Sequence, residues 1–185
     1  MRHDEIVVRP VAADDAAAIA RIYNHYVTDS IVTFEEEPVA AGEMRSRIEA
    51  ILSASLPWFV AVDGADVVGY AYASPWKPRR GYRFSVEVTV YLDAARAHSG
   101  IGSKLYSKLL PTLASAGFHS AMGGIALPND ASVRLHEKFG FEKVAHFKES
   151  GIKFGQWIDV GYWQLLFAAT ERGRDIYPAT PGPRP

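Results

Sequence analysis

Cysteine is absent from this chain of 185 residues. That excludes a disulfide framework, a thiolate metal site and any mechanism that holds an acyl group on a cysteine. The six histidines are scattered, with no HExxH or paired spacing, so no catalytic metal is expected. Excess charge is also lacking. Twenty Lys and Arg stand against 21 Asp and Glu, a formal net charge of -1. Without a concentrated basic surface, neither nucleic acid nor an anionic membrane is an expected partner. There is no apolar run long enough to span a bilayer, and Met1 to Glu5 is polar rather than the start of a signal peptide. A cytoplasmic protein is expected. No internal repeat or low-complexity linker is visible.

What remains is a composition with 48% hydrophobic residues, enough for one domain with a substantial core. The stretch Ser85 to Leu110 organises it. Val86, Val88, Val90 and Leu92 alternate with Ser85, Glu87, Thr89 and Tyr91, a period of two that predicts a strand with one apolar face. Beyond Ser99 the period becomes four, with Ile101, Leu105, Leu109 and Leu113 forming one stripe of a helix. The switch falls at Gly100-Ile101-Gly102. Glycines at the first turn of a helix let a ligand approach the backbone, and the N–H groups and dipole there suit a phosphate. The spacing is neither the dinucleotide fingerprint nor a P-loop, and a purely structural turn is the competing reading.

Elsewhere, Ile6 to Pro10 reads as a first strand. A helix follows it and ends near Tyr26, and a second helix carries Met44, Ile48, Ile51 and Leu52. Trp58 to Val62 and Val67 to Ala73 flank Asp63-Gly64-Ala65-Asp66 as an antiparallel hairpin. Phe118 to Ala126 predicts a strand, and Ala131 to about Lys138 a helix stopped by Gly140. Phe141 to Phe147 and Trp157 to Phe167 read as the last two strands, joined by Gly151 to Gln156. This order predicts an α/β fold, a mixed, mostly antiparallel twisted sheet flanked by helices. The domain spans residues 1–167, and the proline-bearing segment 168–185 is expected to be a flexible tail.

The segment around Gly100 resembles the acetyl-CoA-binding stretch of the GCN5-related N-acetyltransferase (GNAT) family, a strand, Arg/Gln-x-x-Gly-x-Gly/Ala and a helix. The Arg/Gln position falls on Ala97, with Arg96 one residue earlier. Within that family the chain is similar to the phosphinothricin and methionine sulfoximine acetyltransferases from about Ile6 to Phe167. IYNHYV, TFEEEP, GYAYASPWKPR, VEVTVYL, LPNDASVRLHEKFGF and KFGQWIDVGYWQL carry the likeness. The resemblance implies the family's fold, acetyl-CoA as co-substrate, a small amino acid-like amine as acceptor and a homodimer.

It also implies roles for residues. Glu87 aligns with the proposed general base, and His136 falls where many members have a tyrosine thought to protonate the departing thiolate; packing beside Phe139 is the alternative for His136. The CoA arm would be held by Thr89, Val90, Tyr91 and Leu92 and the pyrophosphate by Ala97, His98, Ser99, Gly100, Ile101 and Gly102. Asn129 would either bond the CoA arm or cap a helix. Phe34, Lys77, Arg79, Tyr82, Val86 and Val88, together with Glu87, would border the acceptor. Arginine in such a loop can grip an oxyanion with paired N–H bonds. Two competing functions stay open. One is acetylation of another amine or a protein N-terminus, the other a non-catalytic acyl-CoA-binding module.

Overall fold

The computed structural model describes residues 6–96 and 99–167. Ala97, His98 and the expected tail at 168–185 lie outside the described residues.

Seven strands form one sheet in the order β1-β2-β3-β4-β5-β7-β6. The strands are β1 (Val7–Pro10), β2 (Trp58–Asp63), β3 (Asp66–Pro75), β4 (Ser85–Leu92), β5 (Ser120–Leu127), β6 (Glu142–Lys153) and β7 (Gln156–Leu166). Four helices cover it: α1 (Ala16–Asp29), α2 (Ala41–Ser53), α3 (Ile101–Ser115) and α4 (Asp130–Lys138). Every strand pair is antiparallel except β4 with β5, which α3 connects as a crossover. Among the described residues, no helix is long and apolar enough to cross a membrane.

The alternation in β4 sorts its side chains to two layers. Val86 and Val88 enter a core with Ile101, Leu105, Leu109 and Leu113 of α3, the helix stripe that recurs every fourth residue. Each such side chain is buried to within about 3% of complete, and full burial contributes on the order of 1.5–3 kcal/mol per residue. On the opposite face, Tyr91 packs edge-on against Tyr23 of α1 at 5.2 Å between ring centroids. A second core there joins Ile19, Tyr23 and Val27 of α1 to Met44 and Ile48 of α2.

Pairing between β4 and β5 is the exception that shapes the molecule. It covers only Ser85 to Glu87 opposite Ser120 to Met122. Beyond that point β4 stays with β3 as far as Leu92, and β5 stays with β7 as far as Leu127. The sheet therefore parts into two halves, and the facing edges of β4 and β5 leave backbone groups outside any ladder.

Two segments differ from the sequence expectation. Helix α1 runs to Asp29 rather than Tyr26, because Val27 continues the stripe of Ile19 and Tyr23 and is buried. Residues 151–153, expected in a connection, belong to β6, and the turn is Phe154-Gly155 with both φ values positive, at 50° and 73°. The glycine at 151 marks a bulge instead. Between Phe147 and Gly151 the register shifts, and Glu149 adopts φ 50°. Asp159 on β7 clasps the bulge, accepting from Glu149 N–H at 2.8 Å while its other oxygen lies 2.6 Å from His146 Nε2.

Candidate active site

Where the sheet parts, a cavity of about 490 Å³ opens between β4 and β5. Glu87, at the last paired position of β4, stands at its head, and Thr89 to Leu92 line it further along. The carboxylate has room because β5 carries Gly124 beside it. A Cβ at that position would come within 3.0 Å of Glu87 Oε1 and 3.1 Å of the Tyr162 ring. Burial pushes the Glu87 carboxyl above its ordinary range, and the Lys77 ammonium pulls it partway back. A half-buried carboxylate with a raised pKa, in a cleft, has the protonation behaviour that a general base for an amine requires.

Aromatic side chains frame the head of the cavity. Tyr162 of β7 lies on the same sheet face as Glu87 and meets Trp76 edge-to-face at 5.3 Å and Phe147 at 5.8 Å. Lys77 stacks its ammonium 4.6 Å over the Trp76 ring. Neither Tyr162 nor Trp76 is among the site residues expected from sequence. The period of two along β7 would have placed Tyr162 opposite Trp163, but only the β5–β7 register, Gly124 facing Tyr162, brings it to Glu87.

Past the far end of the cavity lies the glycine turn that opens α3. Gly100 is the N-cap of α3 with φ 79°, a conformation that an L side chain rarely adopts, and a Cβ there would meet nothing within 4 Å. Open space beside the positive end of a helix suits an anion. Gly102 also has a packing role, since a Cβ there would sit 3.0 Å from Leu135 Cδ2, so it lets α3 approach α4. The Arg96 side chain turns away to pair with Asp63 at 2.7 Å.

Asn129 lines the cavity and also caps α4, its Oδ1 accepting from Ser132 N–H at 3.1 Å. His136 lines the cavity wall but is only 3% exposed. Its Nδ1 is 2.8 Å from the Ser132 carbonyl, which can only accept, so that nitrogen carries the proton. Its Nε2 therefore accepts from the Tyr106 hydroxyl at 2.9 Å. Burial lowers the imidazole pKa, which keeps the ring neutral.

Of the expected site residues, the cavity brings together Phe34, Glu87, Val88, Thr89, Val90, Tyr91, Leu92, Asn129 and His136. Ser99, Gly100, Ile101 and Gly102 lie beyond its lining, at the start of α3. Lys77, Arg79 and Tyr82 are exposed on the loop before β4, outside the lining, and Val86 faces the α3 core. Among the described residues Arg79 makes no ion pair.

A mixed sheet parted at its parallel pair, with a carboxylate at the head of the split and a glycine-opened helix at its end, defines an acetyltransferase domain. Residues 8–161 match the family model described as an acetyltransferase (GNAT) domain. The chain belongs to the GNAT acetyltransferase family. It is 41% identical to a phosphinothricin N-acetyltransferase of Streptomyces viridochromogenes over 95% of each chain. It is 35% identical to an L-methionine sulfoximine/L-methionine sulfone acetyltransferase of Salmonella typhimurium, over 82% of this chain and 88% of the relative. A GNAT superfamily phosphinothricin acetyltransferase from Sinorhizobium meliloti, solved in complex with AcCoA, superposes with a TM-score of 0.87 at 32% identity. That superposition covers 96% of this chain and 94% of the other.

Proposed function

We propose that this protein transfers acetyl from acetyl-CoA directly to the primary amine of a small amino acid analogue of the phosphinothricin or methionine sulfoximine type. The observation that carries the reading is Glu87, half-buried at the point where the sheet parts and shifted towards the pKa range of a working base. Glu87 takes the proton from the incoming ammonium, either directly or through one water, and the free amine then attacks the thioester carbonyl. An α-amino group has a reference pKa of about 8, so a carboxylate raised by burial narrows the mismatch.

The unladdered edge of β4 from Thr89 to Leu92 supports the reading from the donor side, since its backbone groups can bond the amide arm of CoA. The N-terminus of α3 at Gly100 supplies N–H groups and a favourable dipole for the pyrophosphate. Release of the thiolate needs little help near neutrality, a thiol pKa being about 8.5. His136, its one ring proton committed to Ser132, accordingly has a structural role beneath the cavity rather than that of the acid.

On the acceptor side, Lys77 and Arg79 supply a cationic rim for the substrate's acidic groups. A homodimer goes with this reading. Phe147, Ile152, Phe154 and Trp157 expose apolar surface along the β6–β7 hairpin, each about half exposed or more.

The test is a thiol-release screen with acetyl-CoA against phosphinothricin, methionine sulfoximine, methionine sulfone, ordinary amino acids and peptides. Turnover confined to the amino acid analogues is expected. Turnover on peptides alone would move the acceptor to a protein N-terminus, and a blank across all amines would leave an acyl-CoA-binding module.

A further inference from the structure

Phe34 lies in the extended segment between α1 and α2. It is 40% exposed and lines the cavity on the side that Tyr23 and Tyr91 share with Glu87. Both of its neighbours are pinned. Thr33 is buried, and its hydroxyl is 2.7 Å from Tyr23 Oη, whose own proton goes to Glu35 Oε1 at 2.9 Å. Arg47 of α2 grips the two Glu35 oxygens at 2.6 and 3.1 Å. Lys153 of β6, only 2% exposed, donates its ammonium to the Glu35 carbonyl. The ring itself rests on Gly151 of the same hairpin. Any Cβ at that residue would fall 2.3 Å from Phe34 Cε1 and 2.4 Å from Cζ.

An exposed aromatic ring held from three separate elements contributes little to the core, so the precision of its placement calls for another explanation. The geometry points to Phe34 as the residue that limits the size of the acceptor side chain, with Gly151 and Lys153 as positioning residues that act through it. This rests on the acetyl-transfer reading and deepens it. The substrate class is an amino acid analogue whose short, unbranched side chain passes the Phe34 ring, and larger side chains are turned away. The bulge clasped by Asp159 brings the hairpin tip to this ring, so the selectivity belongs to the tertiary pairing of two loops distant in sequence.

The experiment is a double-mutant cycle on Phe34→Ala and Gly151→Ala, with Lys153→Met alongside. KM and kcat are measured for methionine sulfone, phenylalanine and tryptophan at saturating acetyl-CoA, and KM for acetyl-CoA separately. Gly151 has no positive φ, so an added methyl tests the contact and not the backbone. Phe34→Ala should raise kcat/KM for the aromatic amino acids relative to methionine sulfone by about tenfold or more, the scale on which a pocket discriminates by size. Gly151→Ala should raise the KM for methionine sulfone about tenfold and leave that for acetyl-CoA unchanged. In the Phe34→Ala background the same methyl should change it less than about twofold. Lys153→Met should act in the same direction as Gly151→Ala, and Lys153→Arg should recover part of the loss.

An undiminished Gly151→Ala effect in the absence of the ring overturns the positioning role. Unmoved selectivity in Phe34→Ala overturns the size role, and that variant keeps the test alive if the Lys153 variants fold poorly. Lack of thiol release by the unaltered protein with every amine overturns the parent reading and this one with it. Normal release with unchanged selectivity overturns this one alone.

Discussion

The two ends of the cavity are made in different ways. The proposed donor end comes from one continuous stretch, β4 to the start of α3, and offers mainly backbone: the parted edge from Thr89 to Leu92 and, beyond the cavity lining, the left-handed Gly100. The acceptor end is assembled from side chains that sequence separates widely, Phe34, Trp76, Glu87 and Tyr162, brought together by sheet register and by a bulged hairpin. Backbone binding tolerates sequence change so long as the conformation survives, whereas a pocket of side chains can be retuned one residue at a time. One end can then serve a common acyl donor while the other selects the amine.

If that division holds, the largest effect belongs to the residue at the boundary. Glu87→Gln keeps the size and removes the basicity, so kcat should fall about 10²-fold or more while acetyl-CoA binding persists. Turnover near that of the unaltered protein across acidic pH would remove Glu87 from the chemistry. Arg79→Ala tests the acceptor end alone. A charged hydrogen bond to a carboxylate or phosphinate contributes about 1.5 to 3 kcal/mol, roughly ten- to 150-fold, so KM for the acid should rise while KM for acetyl-CoA stays. The amide of the same substrate is the control, because a packing defect penalises acid and amide alike. Gly100→Val tests the donor end. It forces a β-branched residue to φ 79° beside the anion position, and calorimetry should show acetyl-CoA binding weakened about tenfold with acceptor selectivity intact.

This division also explains what could be read from the residues alone. The period-two run of β4, the glycines before α3 and the crossover to β5 are local patterns, so the fold and the strand–turn–helix unit around Gly100 were legible. Gly102 was only half legible, as spacing cannot tell a glycine kept for a ligand from one kept for Leu135 on a neighbouring helix. Residues 151–153 read as a loop because Gly151 resembles turn chemistry, and the clasp from Asp159 that keeps the strand going is a tertiary contact. Tyr162 and Trp76 are aromatic residues like many others until the β5–β7 register puts Tyr162 beside Glu87 and the turn after β3 sets Trp76 against Tyr162.

His136 sharpens the comparison from beneath. Tyr106 is fully buried and its hydroxyl is the donor to His136 Nε2. Tyr106→Phe should leave a buried acceptor unpaired, at a cost of about 1–3 kcal/mol in denaturant unfolding. If the ring is structural, kcat in the folded fraction should hardly move, and a matching loss in kcat would return His136 to the chemistry.

The smallest expected effect joins the two sides electrostatically. The base role proposed for Glu87 requires its ionised form, so under that role kcat/KM falls as pH drops through its pKa. Burial sets that pKa above the ordinary carboxylate value, while the Lys77 ammonium draws it down. Lys77→Met removes the positive charge and leaves the burial, so the Glu87 pKa rises further and the acidic limb of kcat/KM moves to higher pH. Lys77→Arg keeps the charge and should leave the limb nearly in place. Lys77 is exposed, so salt screens the interaction, and the displacement should shrink as ionic strength is raised from 0.01 to 0.15 M, where the Debye length falls from about 30 to about 8 Å. A limb that moves equally in the arginine and methionine variants, or that ignores salt, would mean that Lys77 acts on Glu87 by packing over Trp76 rather than by charge. The basic rim would then lose its influence on the catalytic proton and keep only the recognition of acidic acceptors.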